Sequence, residues 1–309
     1  MVRKRHVLLA ALVGLALAVA GWRMLFPPAS LPSGLAGGIV FVSDRDGIPT
    51  LYWRQLPGDD ERRLTFGSEG VDEPAVSPDG ARVAFSMNGR IGVVALGSGE
   101  TRILTLAVDW RDAQPAWLPD GRRLVVSARR RTGEAAGLVV LDPPPAGPVE
   151  RHPLTVPREG DDTSPAASPD GRWVVFVRED HLMRVDLADG RVRRLTGGFK
   201  RERSPRFLPS GQLVCAWSEG KAHGIDVIDP SANTRETLVD GDAYYRTVAP
   251  SRDGRFLAAT FSWDLSLRPL ATLVGGRPEE IRLLDASGHR VATLESSWRH
   301  TSHSPDWGH

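Results

Sequence analysis

Apolar residues in this chain fall in short unbroken runs, not at helical spacing. Five of these runs are Arg82-Val83-Ala84-Phe85-Ser86, Arg123-Leu124-Val125-Val126-Ser127, Trp173-Val174-Val175-Phe176-Val177, Leu213-Val214-Cys215-Ala216-Trp217 and Phe256-Leu257-Ala258-Ala259-Thr260. Runs this short and this rich in β-branched residues predict strands buried on both faces. Each follows a tight-turn phrase: Pro78-Asp79-Gly80, Pro119-Asp120-Gly121, Pro169-Asp170-Gly171, and the degraded copies Pro209-Ser210-Gly211 and Arg252-Asp253-Gly254. Proline presets φ, Asp accepts local backbone hydrogen bonds, and Gly takes the positive-φ position that closes a hairpin. A short strand rich in small residues precedes each turn, as in Glu73-Pro74-Ala75-Val76 and Gln114-Pro115-Ala116-Trp117.

Two further strands complete each unit. The third tends to end in Asp, as in Leu182-Met183-Arg184-Val185-Asp186 and Ile281-Arg282-Leu283-Leu284-Asp285. The fourth is polar and often ends in Leu-Thr, as in Arg62-Arg63-Leu64-Thr65 and Arg193-Arg194-Leu195-Thr196. A polar fourth strand suits an exposed edge, where charge discourages pairing with other chains. Four antiparallel strands recurring every roughly 40–50 residues make a propeller blade. The first strand of the chain, Ile39-Val40-Phe41-Val42-Ser43, matches the second strand of a unit. The missing inner strand returns at the other end as His303-Ser304-Pro305-Asp306-Trp307. The predicted fold is therefore all-β: a six-bladed β-propeller of four-stranded antiparallel blades, closed by pairing of N- and C-terminal strands.

The first residues follow another rule. Arg3-Lys4-Arg5-His6 is a basic stretch, residues 7–20 are apolar or small throughout, and Ala18-Val19-Ala20 has the small-x-small form of a cleavage site. Trp22, Met24, Leu25 and Phe26 prolong the apolar character past Arg23, as a membrane-interface segment would. Residues 1–26 thus read as a helical signal peptide or signal anchor, and both readings export the remainder. Pro27-Pro28-Ala29-Ser30-Leu31-Pro32-Ser33-Gly34 cannot build a core, so residues 27–37 read as a linker and residues 38–309 as the propeller. The expected location is periplasmic or otherwise extracytoplasmic.

Composition narrows the partners. Lys and Arg (39) nearly balance Asp and Glu (38), so nothing argues for nucleic acid. The single cysteine, Cys215, lies in an apolar run and reads as a buried small hydrophobe. No Gly-x-Ser-x-Gly elbow occurs that would mark a hydrolase nucleophile.

At Leu64-Thr65-Phe66-Gly67-Ser68-Glu69-Gly70-Val71-Asp72-Glu73-Pro74 and the following Ser77-Pro78-Asp79-Gly80 the chain resembles the TolB-type (WD-like) propeller repeat. The resemblance recurs in register over residues 38–309. It implies an exported six-bladed propeller and does not imply the Tol-Pal role. Members of that family carry an α/β domain ahead of the propeller, and only the linker stands in that place here.

Candidate chemistry is sparse. Asp72, Asp112, Asp162 and Glu202 recur two or three positions ahead of the leading proline, where a ring of carboxylates at one channel end would take a basic peptide or a cation. His300 and His303 are the weak metal candidates, although odd spacing in a strand puts them on opposite faces. His152, His181, His223 and His289 are expected on turns or loops. The charge runs Arg129-Arg130-Arg131 and Lys200-Arg201-Glu202-Arg203 read as solvated loops. An apolar insertion at 264–280 would cover a channel end or bind a partner. The chain is thus expected to be a monomeric scaffold binding a protein or peptide, with the membrane as a further partner if the N-terminal segment stays uncleaved. No catalytic residue and no cofactor are predicted, with a divalent cation in the channel left open. The alternative is a channel-site enzyme of carbohydrate lyase or hydrolase type.

Overall fold

The computed structural model describes residues 31–308, apart from 33, 145–146, 157–159, 242, 263–278 and 296–300. The N-terminal helix expected over residues 1–26, most of the apolar insertion and His300 lie outside the described residues.

The described residues form six four-stranded antiparallel sheets. The inner strands are Ser302–Gly308, Asp72–Val76, Trp110–Trp117, Thr163–Ala167, Arg201–Phe207 and Tyr244–Pro250, in blades one to six. Blade one is completed by Gly37–Ser43, Thr50–Leu56 and Glu61–Arg63, so the two ends of the chain share one sheet. Register runs Gly38↔Gly308, Ile39↔Trp307 and Ser43↔Ser302. Gly38 is required there, because a Cβ would meet the Trp53 ring at 1.8 Å.

The core is a ring of six clusters, one in each cleft between neighbouring blades. Val83 and Phe85 of blade two pack on Val40 and Val42 of blade one. The closing cleft between blades six and one packs Ala258, Ile281 and Leu283 on Ile39, Phe41 and Trp307. Both faces of every second strand are therefore buried, which explains the unbroken apolar runs. Tryptophans add polar ties across two clefts: Trp117 Nε1 donates to the Ala75 carbonyl at 2.9 Å, and Trp307 Nε1 to the Ala249 carbonyl at 2.8 Å.

The turns divide the ring into two faces. On one lie the Pro-Asp-Gly hairpins, where Asp170 Oδ1 accepts from the Ser168 hydroxyl (2.6 Å) and the Arg172 amide (3.1 Å), and Gly171 sits at φ 67°. Arg252, which replaces the proline in the blade-six phrase, reaches past blade one to the Pro78 carbonyl of blade two. The chain also enters on this face. The Gly34 carbonyl is held by Arg255 beside the blade-six hairpin, and Leu35 is buried, so packing begins within the stretch read as linker.

The opposite face carries the loops from each fourth strand to the next inner strand. The repeated Leu-Thr is their anchor. Threonine Oγ1 accepts the amide that opens the adjacent third strand, as in Leu51 to Thr65 (3.1 Å), Ile91 to Thr105 (2.9 Å), Leu138 to Thr155 (2.8 Å) and Leu182 to Thr196 (2.9 Å).

Candidate functional site at the channel mouth

A channel runs along the ring axis between the inner strands. At the loop face it opens into a cavity of about 260 Å³ to which all six blades contribute. At the hairpin face it widens to about 500 Å³.

A repeated backbone device shapes the mouth. The residue before each leading proline is left-handed: Glu73 (φ 54°), Gln114 (55°), Ser164 (51°), Ser204 (49°) and Ser304 (51°). Pairing slips at this point, for example between Asp72 and Ala75 and between Arg203 and Arg206. Such bulges re-aim side chains, and a non-glycine residue held left-handed costs on the order of 1 kcal/mol. Hydrogen bonds between neighbouring blades hold the geometry. Glu73 Oε2 accepts the Gln114 amide (2.9 Å), and Gln114 Oε1 accepts the Ser164 amide (2.7 Å).

The mouth is electrically polarised. Arg203, Arg206 and Arg246 line it from blades five and six, while Asp72 and Glu73 line it from blade two, opposite blade five. Arg203 is fixed by the Tyr244 hydroxyl and by Ser218 Oγ at 2.6 Å, and Arg246 faces Glu279 at 3.4 Å. Arg206 donates to the Pro205 carbonyl at 3.0 Å and lines the channel at both ends. Its charge also bears on Asp306, deep in the channel, whose carboxyl accepts the Val76 amide at 2.6 Å and is pushed up by burial. Burial likewise pushes the Glu73 carboxyl up, and the neighbouring Asp72 charge adds to the effect.

Of the four acids expected to ring the channel, only Asp72 lies at the mouth. Asp112, Asp162 and Glu202 are buried structural groups. Asp112 takes a two-pronged bond from Arg151 (2.6 and 3.0 Å), and Asp162 takes one from Arg178 (2.6 and 2.9 Å). Glu202 pairs with Arg235. Asp162 and Glu202 also bind Thr155 and Thr196, so they lock the Leu-Thr loop from behind. The reason is register. These three acids stand three positions before proline and Asp72 stands two, and one residue of slip reverses the face of a strand.

Asp72 accepts from Ser304 Oγ at 3.1 Å, and His303 Nδ1 lies 3.0 Å from Ser304 Oγ and 3.6 Å from Asp72. A serine, a histidine and an aspartate thus meet, but serine and carboxylate both address the same ring nitrogen. A proton relay needs them on opposite nitrogens. Among the described residues no three His, Cys, Asp or Glu side chains converge as a metal-ligand set. His152, His181 and His223 lie on strands, not loops. Cys215 is fully buried, and desolvation pushes its thiol up.

The arginines of the mouth were missed at sequence level. Arg203 belongs to a charge run that looks solvated, and Arg206 and Arg246 fall on no repeated signal. Lys200, in the same run, is also held inward. Its ammonium pairs with buried Asp226 at 2.8 Å and lies over the Trp217 ring.

No family model matches the chain. A TolB homologue from Chlorobium luteolum is 30% identical over 167 residues, covering 52% of this chain and only 37% of that protein's length. Among solved structures, TolB from Acinetobacter baumannii superposes with a TM-score of 0.71 at 18% identity, covering 94% of this chain and 70% of that one. An oligogalacturonate lyase in complex with manganese gives 0.61 at 16% identity, covering 82% and 73%. The propeller is TolB-like, and the structural likenesses carry the fold alone.

Proposed function

We propose that the chain is an extracytoplasmic propeller scaffold that binds a protein partner at the loop-face mouth of its channel. The observation that carries this reading is the mouth itself. Six blades converge there on a cavity with guanidinium groups on one wall and carboxylates on the other, held by strained backbone. Strain and opposed charge gathered in one concave place mark a binding site. The TolB homologue supports an exported location, as does the apolar N-terminal segment with its basic start. The partner would be gripped through a projecting segment, because a cavity of about 260 Å³ admits a few side chains and no folded domain.

The test is affinity capture with the purified full chain from envelope extract, at low and at moderate salt. A single stoichiometric protein is expected, and recovery of none at either salt overturns the reading. The rival reading, a channel-site enzyme, draws on the fold likeness to the manganese-bound lyase. Metal analysis of the purified chain separates the two: stoichiometric manganese, zinc or calcium with turnover of a sugar polymer favours the enzyme.

A further inference from the structure

Four of the loops on the mouth face share a feature that packing does not explain. The residue that follows each Leu-Thr anchor is apolar and stands in water: Phe66 is 79% exposed, Leu106 72% and Val156 83%. In the next loop two glycines intervene, and Phe199 is 89% exposed. Val108 adds a fifth exposed apolar side chain beside Leu106. These residues come from four successive blade junctions, so they form a crescent around one side of the channel mouth. The threonine anchors force them outward, since the preceding Leu turns in and the Thr is tied to the third strand. Single exposed apolar residues need no explanation, but a row at equivalent positions marks a contact surface.

From this we infer that the loop face is a protein-docking surface in two parts: an apolar crescent over blades one to five and, inside it, a cationic wall that receives an acidic projection of the partner. The inference rests on the protein-binding reading above and specifies its surface. Two observations choose the occupant. The chain enters the propeller on the hairpin face, at Gly34 and Leu35, so an N-terminal membrane segment would hold the crescent away from the bilayer and leave an apolar protein surface as the match. Arg203 and Arg206 line the mouth on this face, tied only to neutral oxygens, and complement a carboxylate-bearing segment.

Site-specific photo-cross-linking in the full exported chain tests this. Benzoylphenylalanine replaces Phe66, Leu106 or Phe199 on the loop face, and Ser210 or Ser287 on the hairpin face. All five positions are exposed or at turns, so folding should survive. The expected result is one and the same protein adduct from the three loop-face positions and none from the other two. Arg206→Glu in the same chains should cut adduct yield roughly ten-fold, and Arg206→Gln should cut it less. Unchanged melting temperatures would show that both variants fold. Lipid adducts, adducts with a second copy of this chain, intrachain adducts to residues 263–278, or a different protein at each position would overturn the inference. If capture recovers a partner but its adducts map to the hairpin face, the docking surface is wrong and protein binding stands. If no partner is captured and no protein adduct forms on either face, both fail.

Discussion

Replacing Trp307 tests the ring closure at its seam. Trp307 lies on the C-terminal strand, is buried in the cleft between blades six and one, and donates to the Ala249 carbonyl at 2.8 Å. Ala249 is itself fully buried, so truncation leaves that carbonyl without its indole donor. Trp307→Ala therefore removes a large apolar group and a buried hydrogen bond together, at about 3–5 kcal/mol. Trp307→Phe keeps most of the ring and loses the bond, at about 1–2 kcal/mol. Set against a total stability of about 5–15 kcal/mol, the alanine variant should stay folded at low temperature but melt early. Urea unfolding followed by circular dichroism is the assay, since nine tryptophans confuse fluorescence. With a slope of about 3 kcal/mol/M, the midpoint should fall by about 1 M or more. Hydrogen exchange adds the spatial check, because amides of Gly37–Ser43 that pair with Ser302–Gly308 should lose protection first. Trp117→Ala, in the cleft between blades two and three, should cost a similar amount without exposing those amides. A midpoint within about 0.2 M of wild type for Trp307→Ala would refute the reasoning.

Two other substitutions probe carboxyls drawn out of water, Glu73 half-buried and Asp162 fully buried. Glu73 has a raised folded-state pKa, so its contribution falls as pH rises from the unfolded value of about 4.3 through the folded one. Glu73→Gln should remove that fall and raise the melting temperature near pH 7, where a gain of about 1 kcal/mol shows as roughly 2–4 °C. Melting curves from pH 4 to 8 would read it, and an unchanged pH profile would count against a half-buried carboxyl held above its ordinary range. Asp162→Asn breaks a buried pair and should cost about 3 kcal/mol, while adding Arg178→Gln should restore part of the loss. Full additivity in that double-mutant cycle would show that the pair is not coupled.

The blades were legible in the sequence because turn chemistry is local. Pro, Asp and Gly meet the needs of a hairpin within four residues, and the apolar runs between them are long enough to recognise. The closing strand was legible too, because Ser304-Pro305-Asp306-Trp307 repeats the inner-strand phrase without its hairpin. The site was much less so. Asp72 and Asp112 look equivalent when counted loosely from proline, yet a left-handed bulge and one residue of register send one to the mouth and the other into an ion pair with Arg151. Lys200 looks solvated in a charge run, but its partner Asp226 lies 26 residues on and no local pattern reveals it. The exposed residues after Leu-Thr are present in the repeat itself. They pass unnoticed because apolar residues beside strands are expected to be core.

The most direct measurement is the affinity of the captured partner for the wild-type chain and for Arg206→Glu, by calorimetry at two salt concentrations. Reversing the charge at the centre of the mouth should weaken binding by about ten-fold or more and flatten its salt dependence. Equal affinities with equal salt slopes would place the partner elsewhere on the propeller and contradict the assignment of the mouth.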